Sequence, residues 1–152
     1  MRRKIFDKEN HAFFVTFSCF RRRRLLDHDR AKGIVVHFLS TQLKNQNGSC
    51  IGFVIMPDHV HAMVAFHEPG VLSTFMNQWK RRSSIQLKNL FRSGLDSYGG
   101  KMDPESPMWQ AKYYCFNVFS ENKVREKLAY MHYNPVKSGL VNRPEDWMYG
   151  SA

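Results

Sequence analysis

The sequence predicts an α+β fold: a ferredoxin-like, RRM-like sandwich in which an antiparallel sheet carries helices on one face. Three observations point there. A chain of 152 residues suits one domain with one core, so 1–152 is read as a single unit. Hydrophobic content of 43% and aromatic content of 14% fit a globular chain rather than a disordered one. Turn and capping residues cut the chain into segments whose apolar spacing runs in the order β α β β α β α, which is sandwich order.

Each element has its own signal. His11–Phe20, "HAFFVTFSCF", is dense in aromatic and β-branched residues and reads as a strand. Asp27 or Asp29 can cap a helix running to about Leu43, with Ile34, Val35, Phe38 and Leu39 on one face. "GSCIGFVIMPDHVHAMVAF" reads as two strands broken at Pro57-Asp58, a hairpin turn. Leu72, Phe75, Met76 and Trp79 recur at helical spacing in a long helix with a basic middle. The Gly-, Ser-, Asp- and Pro-rich stretch 92–107 is a loop, and "MWQAKYYCFNVFS" (108–120) returns to strand composition. "ENKVREKLAYMHYN" (121–134) is a helix capped by Ser120, expected to stop before Pro135 because proline disfavours helical geometry in the residue ahead of it. The tail from Pro135 is read as irregular. There are no internal repeats.

Composition narrows the function classes. A formal charge of +10, from 23 Lys and Arg against 13 Asp and Glu, favours a polyanionic partner, nucleic acid before an anionic membrane surface. Cys19, Cys50 and Cys115 are odd in number and widely spaced, which suggests reduced thiols packed as small core residues and no zinc knuckle. No apolar stretch reaches the ~20 residues of a membrane span. The basic opening is interrupted by Asp7 to Asn10 and is not expected to be a signal peptide.

The chemistry-bearing stretch is "VIMPDHVHAMVAF". Side chains alternate along a strand, so His59 and His61 share one face, roughly 7 Å apart at Cβ, while Val60, Ala62 and Val64 face the core. Two neutral imidazoles on one face can share an ion, although the same pattern also suits two surface histidines. In helix 121–134, Tyr130 and Asn134 lie one turn apart, with Lys123 and Lys127 on nearly the same stripe. Val124, Leu128 and Met131 form the opposing apolar stripe. Lys, Tyr and Asn beside a histidine pair resemble a phosphate site, but periodicity alone favours a half-buried packing tyrosine above solvated lysines.

"MPDHVHAMV" followed by "AYMHYNPVKSGLV" resembles the single-tyrosine HUH transposases of small bacterial insertion sequences, and among them the REP-associated tyrosine transposases. HUH denotes histidine, bulky hydrophobe, histidine: His59-Val60-His61, placed on a central strand. The likeness spans nearly the whole chain, including "QWKRRSS", Trp109-Gln110 and the tail with Trp147 and Tyr149; "NPVKSGLV" departs slightly from the expected "NPVKAGLV".

The resemblance implies Tyr130 as nucleophile and His59, His61 and Asn134 as metal ligands, with Tyr133 second choice and Tyr113 and Tyr114 weaker. It implies a divalent metal, Mg or Mn; magnesium prefers oxygen ligands and manganese tolerates nitrogen. It implies cleavage and rejoining of single-stranded DNA through a 5′-phosphotyrosine, on a hairpin flanked by a short tetranucleotide. Arg21, Arg22, Arg23, Arg24, Lys80, Arg81, Arg82 and Lys127 are the expected DNA contacts. Trp109 and Phe20 are expected to stack bases, whereas Trp79 fits core packing. The protein would be cytoplasmic in a bacterium and nucleoid-associated, with no membrane partner, acting as monomer or homodimer. Two rivals stand beside this reading: a ferredoxin-like nucleic-acid-binding module without chemistry, and an HUH nickase serving replication or conjugation.

Overall fold

A computed structural model describes residues 11–93 and 105–152. Four antiparallel strands, β1 (His11–Ser18), β2 (Gly48–Ile55), β3 (His59–Phe66) and β4 (Tyr114–Asn117), form one sheet in the order β2-β3-β1-β4. Among the described residues three α-helices complete the α+β fold: α1 (Asp29–Asn45), α2 (Leu72–Arg92) and α3 (Glu121–Lys137). The expected element order and the hairpin at Pro57-Asp58 are found, and β3 is a central strand.

Alternation along the strands builds two packed faces. Val15, Phe17, Val60, Ala62 and Val64 turn to one face and bury against α1 and α2, whose Val35, Leu39, Phe75, Met76 and Trp79 complete the main core. Phe14, Met63 and Ala65 turn to the other face, where Val124, Leu128 and Met131 of α3 meet them. The predicted apolar stripe of α3 therefore reaches the sheet from the histidine side, while α1 and α2 share the opposite face. With helices on both sides, every residue of β3 is buried.

Several boundaries differ from expectation. His28, not either aspartate, caps α1, its Nδ1 accepting from the Arg30 N–H at 3.1 Å. Helix α3 does not stop before Pro135 but runs through it to Lys137. Met131 and Pro135, four residues apart, are its two buried residues, so ring packing offsets the missing backbone donor. The strand expected over 108–120 shrinks to Tyr114–Asn117, with Trp109 in an isolated bridge to Cys19. Cys19 is buried as expected; Cys50 and Cys115 are exposed, because both lie on outer strands of the sheet. Most of the loop expected over 92–107, at 94–104, and the opening ten residues lie outside the described residues.

The tail is ordered. A 3-10 turn at Pro144–Asp146 leads Trp147 and Tyr149 to β2: Trp147 Nε1 donates to Ile55 O at 3.0 Å, and Ile55 N–H donates to Tyr149 O at 2.8 Å. The ammonium of Lys32, buried in α1, donates to Asp27 O at 2.8 Å and lies 5.4 and 5.7 Å from the Trp147 and Tyr149 rings.

Candidate active site

Cross-strand register decides what surrounds the histidines. Thr16 stands opposite His61, and Ser18 opposite His59, with Tyr114 beyond Thr16 on β4. Paired residues share a face, so this row borders the groove between sheet and α3. There an open cavity of about 710 Å³ is lined by Phe14, Thr16, Arg22, His59, His61, Tyr114, Lys127, Tyr130, Asn134, Lys137 and Ser138.

The two imidazoles are held at their Nδ1 atoms. His59 Nδ1 meets Asp58 Oδ1 at 2.7 Å, and His61 Nδ1 meets Thr16 Oγ1 at 2.7 Å. The rings lie 4.7 Å apart and nearly perpendicular. His61 stacks on Phe14 at 5.4 Å, and the Tyr130 ring stands edge-on 5.5 Å from His61. Asn134 lines the same cavity wall as His59. Lys127 places its ammonium over Phe14 and Phe116, at 5.2 and 4.8 Å.

Both histidines are neutral at pH 7. Burial lowers His61 to about 3, and the positive charges of His59, Arg22 and Lys127 act in the same direction against Asp58. Burial also lowers His59, opposed by its hydrogen bond to Asp58. For the Asp58 carboxyl, burial pulls upward, but the His59 hydrogen bond and charge and the Arg22 guanidinium hold it below the ordinary range.

The donor set fits a divalent metal. His61 Nε2 is buried and has no hydrogen-bond partner. A carboxylate on Nδ1 of His59 fixes its hydrogen there and leaves the Nε2 lone pair free, as in metal sites whose histidines are oriented from behind. Thr16 can do the same for His61. Among the described residues no three His, Cys, Asp or Glu side chains converge to hold a metal. Asn134, in the same cavity wall, carries an amide oxygen that can act as a ligand.

Of the expected site residues, the fold brings together His59, His61, Tyr130, Asn134, Lys127 and Arg22. Tyr133 is exposed and outside the cavity wall, and Tyr113 packs against the main core. Lys123 pairs with Glu126 at 3.1 Å in solvent. Trp109 is not a surface stacking residue: it is 5% exposed, its ring packs on Phe17 and its Nε1 donates to Lys80 O and Ser83 Oγ. Phe20 is half-buried under the Arg21 guanidinium, 5.1 Å away. Lys80 is a tether, donating to Gln110 O at 2.8 Å and Ala111 O at 3.2 Å, while Arg81 and Arg82 are exposed. They sit on α2, whose core face packs on the sheet side opposite the histidines. Arg24 pairs with Asp27 at 2.9 Å, and Arg23 is half-buried.

Sequence reasoning missed Phe14, Thr16, Lys137 and Ser138 as wall residues and named Tyr114 only as a weaker nucleophile candidate. Phe14, Thr16 and Tyr114 are set by register across the sheet, which no local pattern reports. Lys137 and Ser138 follow from the helix continuing past Pro135, with Lys137 and Ser138 three and four residues beyond Asn134. No helix among the described residues is long and apolar enough to cross a membrane.

The family model described as "Transposase IS200 like" matches residues 7–134. A candidate REP-associated tyrosine transposase of Haemophilus influenzae is 23% identical over 135 residues, covering 81% of this chain and 73% of that protein. Among solved structures, a REP-associated tyrosine transposase bound to a REP hairpin gives a TM-score of 0.72 at 18% identity, covering 95% of this chain and 78% of its own. The crystal structure of a candidate transposase from Deinococcus radiodurans R1 gives 0.57 at 19%, covering 80% and 88%. At these identities both structures speak to the fold.

Proposed function

The chain belongs to the IS200-like transposase family, and on that premise we propose that it cleaves and rejoins single-stranded DNA through Tyr130. The observation that carries this is the placement of the half-exposed Tyr130 ring 5.5 Å from His61, in one cavity with His59, Asn134 and Lys127. The substrate is a DNA strand whose ends are marked by hairpins, by analogy with the related structure bound to a REP hairpin.

A phenol has a pKa of ~10 and needs its proton removed or its anion stabilised. Lys127, one turn before Tyr130 and facing the same cavity, supplies positive charge there. The Tyr130 oxygen attacks phosphorus in line, the bond to the 3′-oxygen breaks, and that oxygen leaves as a 3′-hydroxyl after taking a proton. The product is a 5′-phosphotyrosine. Because the phosphodiester is exchanged rather than hydrolysed, a 3′-hydroxyl can attack it in turn and release Tyr130 without ATP. His59, His61 and Asn134 would hold a magnesium or manganese ion, whose chemistry there would be to polarise the phosphate and offset its charge. Asp58 and Thr16 keep the two rings aimed, and burial keeps them neutral and able to bind cations.

Covalent trapping tests this. Labelled single-stranded oligonucleotides carrying the flanking repeats are incubated with protein and manganese, then run on denaturing gels. A protein–DNA adduct formed by wild type and Tyr133→Phe but absent with Tyr130→Phe is expected. An adduct that survives Tyr130→Phe would refute the assignment, and tight binding that ignores EDTA with no adduct would favour a non-catalytic binding module.

A further inference from the structure

We infer that Arg22 alone among the four consecutive arginines acts inside the active site, as the clamp on the scissile phosphate; this rests on the function proposed above. Arg21, Arg22, Arg23 and Arg24 are indistinguishable by composition, yet only Arg22 lines the cavity of His59, His61 and Tyr130. Its position there is built. Arg21 and Arg22 both take left-handed backbone angles, each with φ of 56°, a conformation that side-chain-bearing residues avoid. Backbone hydrogen bonds hold this strained turn: Arg22 N–H to Cys19 O, Cys19 N–H to Asp58 O, and Phe20 N–H to Met108 O, each 2.9 Å. The turn is thereby fixed to the residues that lead into His59.

The side chain is fixed as well as the backbone. Arg22 Nη2 lies 3.2 Å and Nε 3.3 Å from Asp58 Oδ2, and Nη1 donates to Ser18 Oγ at 3.4 Å. Nη2 also approaches His59 Nδ1 at 3.5 Å. That nitrogen already makes the 2.7 Å contact with Asp58, so the longer approach is a close contact rather than a second hydrogen bond. Asp58 therefore holds both the His59 ring and the guanidinium, and couples them. The side chain remains 58% exposed, and the bonds to Asp58 and Ser18 use three of its five N–H donors. A planar fork suits two oxygens of one phosphate, where negative charge grows during in-line attack.

Single-turnover adduct formation with Arg22→Ala, Arg22→Lys and Asp58→Asn tests the inference, alongside oligonucleotide affinity measured in a Tyr130→Phe background and thermal unfolding. Cleavage by Arg22→Ala is expected to fall by ~100- to 1,000-fold, as for loss of one donor to a developing oxyanion. Affinity should fall far less. Arg22→Lys should recover only part of the rate, and methylguanidinium added to Arg22→Ala should restore activity without altering unfolding. Asp58→Asn should lie between. The inference is overturned if Arg22→Ala cleaves within about threefold of wild type, if its loss is matched by the loss in affinity, or if methylguanidinium gives no recovery. A wild type that forms no adduct refutes the proposed function itself, and this inference with it.

Discussion

Replacing His61 by glutamine should flatten the acid side of the protein's stability profile. His61 is 4% exposed, its Nε2 has no partner, and its pKa is pushed down to about 3. Charged groups face it from three elements: His59 on the same strand, Arg22 in the strained turn and Lys127 on α3, with Asp58 opposing them. In the unfolded chain the same imidazole takes a proton near pH 6.5. Between those values the unfolded state binds a proton that the folded state refuses, so stability falls as pH falls. From pH 7.5 to 5.0 the titration covers about 1.5 pH units below the unfolded pKa, which at 1.36 kcal/mol each is about 2 kcal/mol. For a chain of this size that corresponds to roughly 4–8 °C in Tm. Urea or thermal unfolding at both pH values, with EDTA present to exclude metal binding, measures it. Wild type should lose about 2 kcal/mol more than His61→Gln over this interval. Acid slopes that coincide within about 0.5 kcal/mol would refute the claim that His61 is held neutral by its burial.

Other outcomes follow from the same geometry. Asn134→Ala should weaken manganese binding by at least about tenfold in calorimetric titration, with the fold intact. Gly52→Ala places a methyl 2.5 Å from Leu128 Cδ2, 3.1 Å from Ser151 Oγ and 3.2 Å from Met131 Cε, side-chain ends that must move aside. Its stability should drop by about 1 kcal/mol in denaturant unfolding. Trp109→Ala should cost about 3–5 kcal/mol in denaturant unfolding, as expected of a core indole. If Arg81 and Arg82 touch DNA, replacing either by alanine should reduce the log–log salt slope of binding by ~0.7–0.9. Lys80→Met should change stability and leave that slope unaltered, since its ammonium is committed to backbone carbonyls.

Features that depend on short periodicities were legible in the sequence. A two-residue period put His59 and His61 on one face, and a four-residue step put Tyr130 above Asn134; both juxtapositions are present. What the sequence could not show was which surfaces meet. Trp109 looks like an exposed aromatic near basic residues, but the packing of Phe17 and Ser83 around it depends on residues 92 and 26 positions away. The end of α3 was misplaced because the local cost of Pro135 is visible in the sequence and its burial against the sheet is not. Likewise four identical arginines carry no internal clue that only the second reaches the cavity wall. That difference exists only once the turn is bonded to the Pro57-Asp58 corner.

The tail seated along β2 has a consequence for self-association. Unpaired strand edges are templates onto which other chains add, and proteins cover or blunt them. Here Tyr149–Ser151 occupy the outer side of Phe53–Ile55: Ser151 N–H donates to Phe53 O at 3.0 Å, Gly150 bridges Val54, and Ser151 Oγ also meets His132 of α3 at 2.8 Å. That end of the β2 edge is closed to strand addition. The opposite flank is β4, four residues long and paired, among the described residues, only with β1. Among the described residues, an assembly that extends this sheet between copies therefore has β4, the strand that carries Tyr114 into the cavity wall, or the first half of β2 to build on.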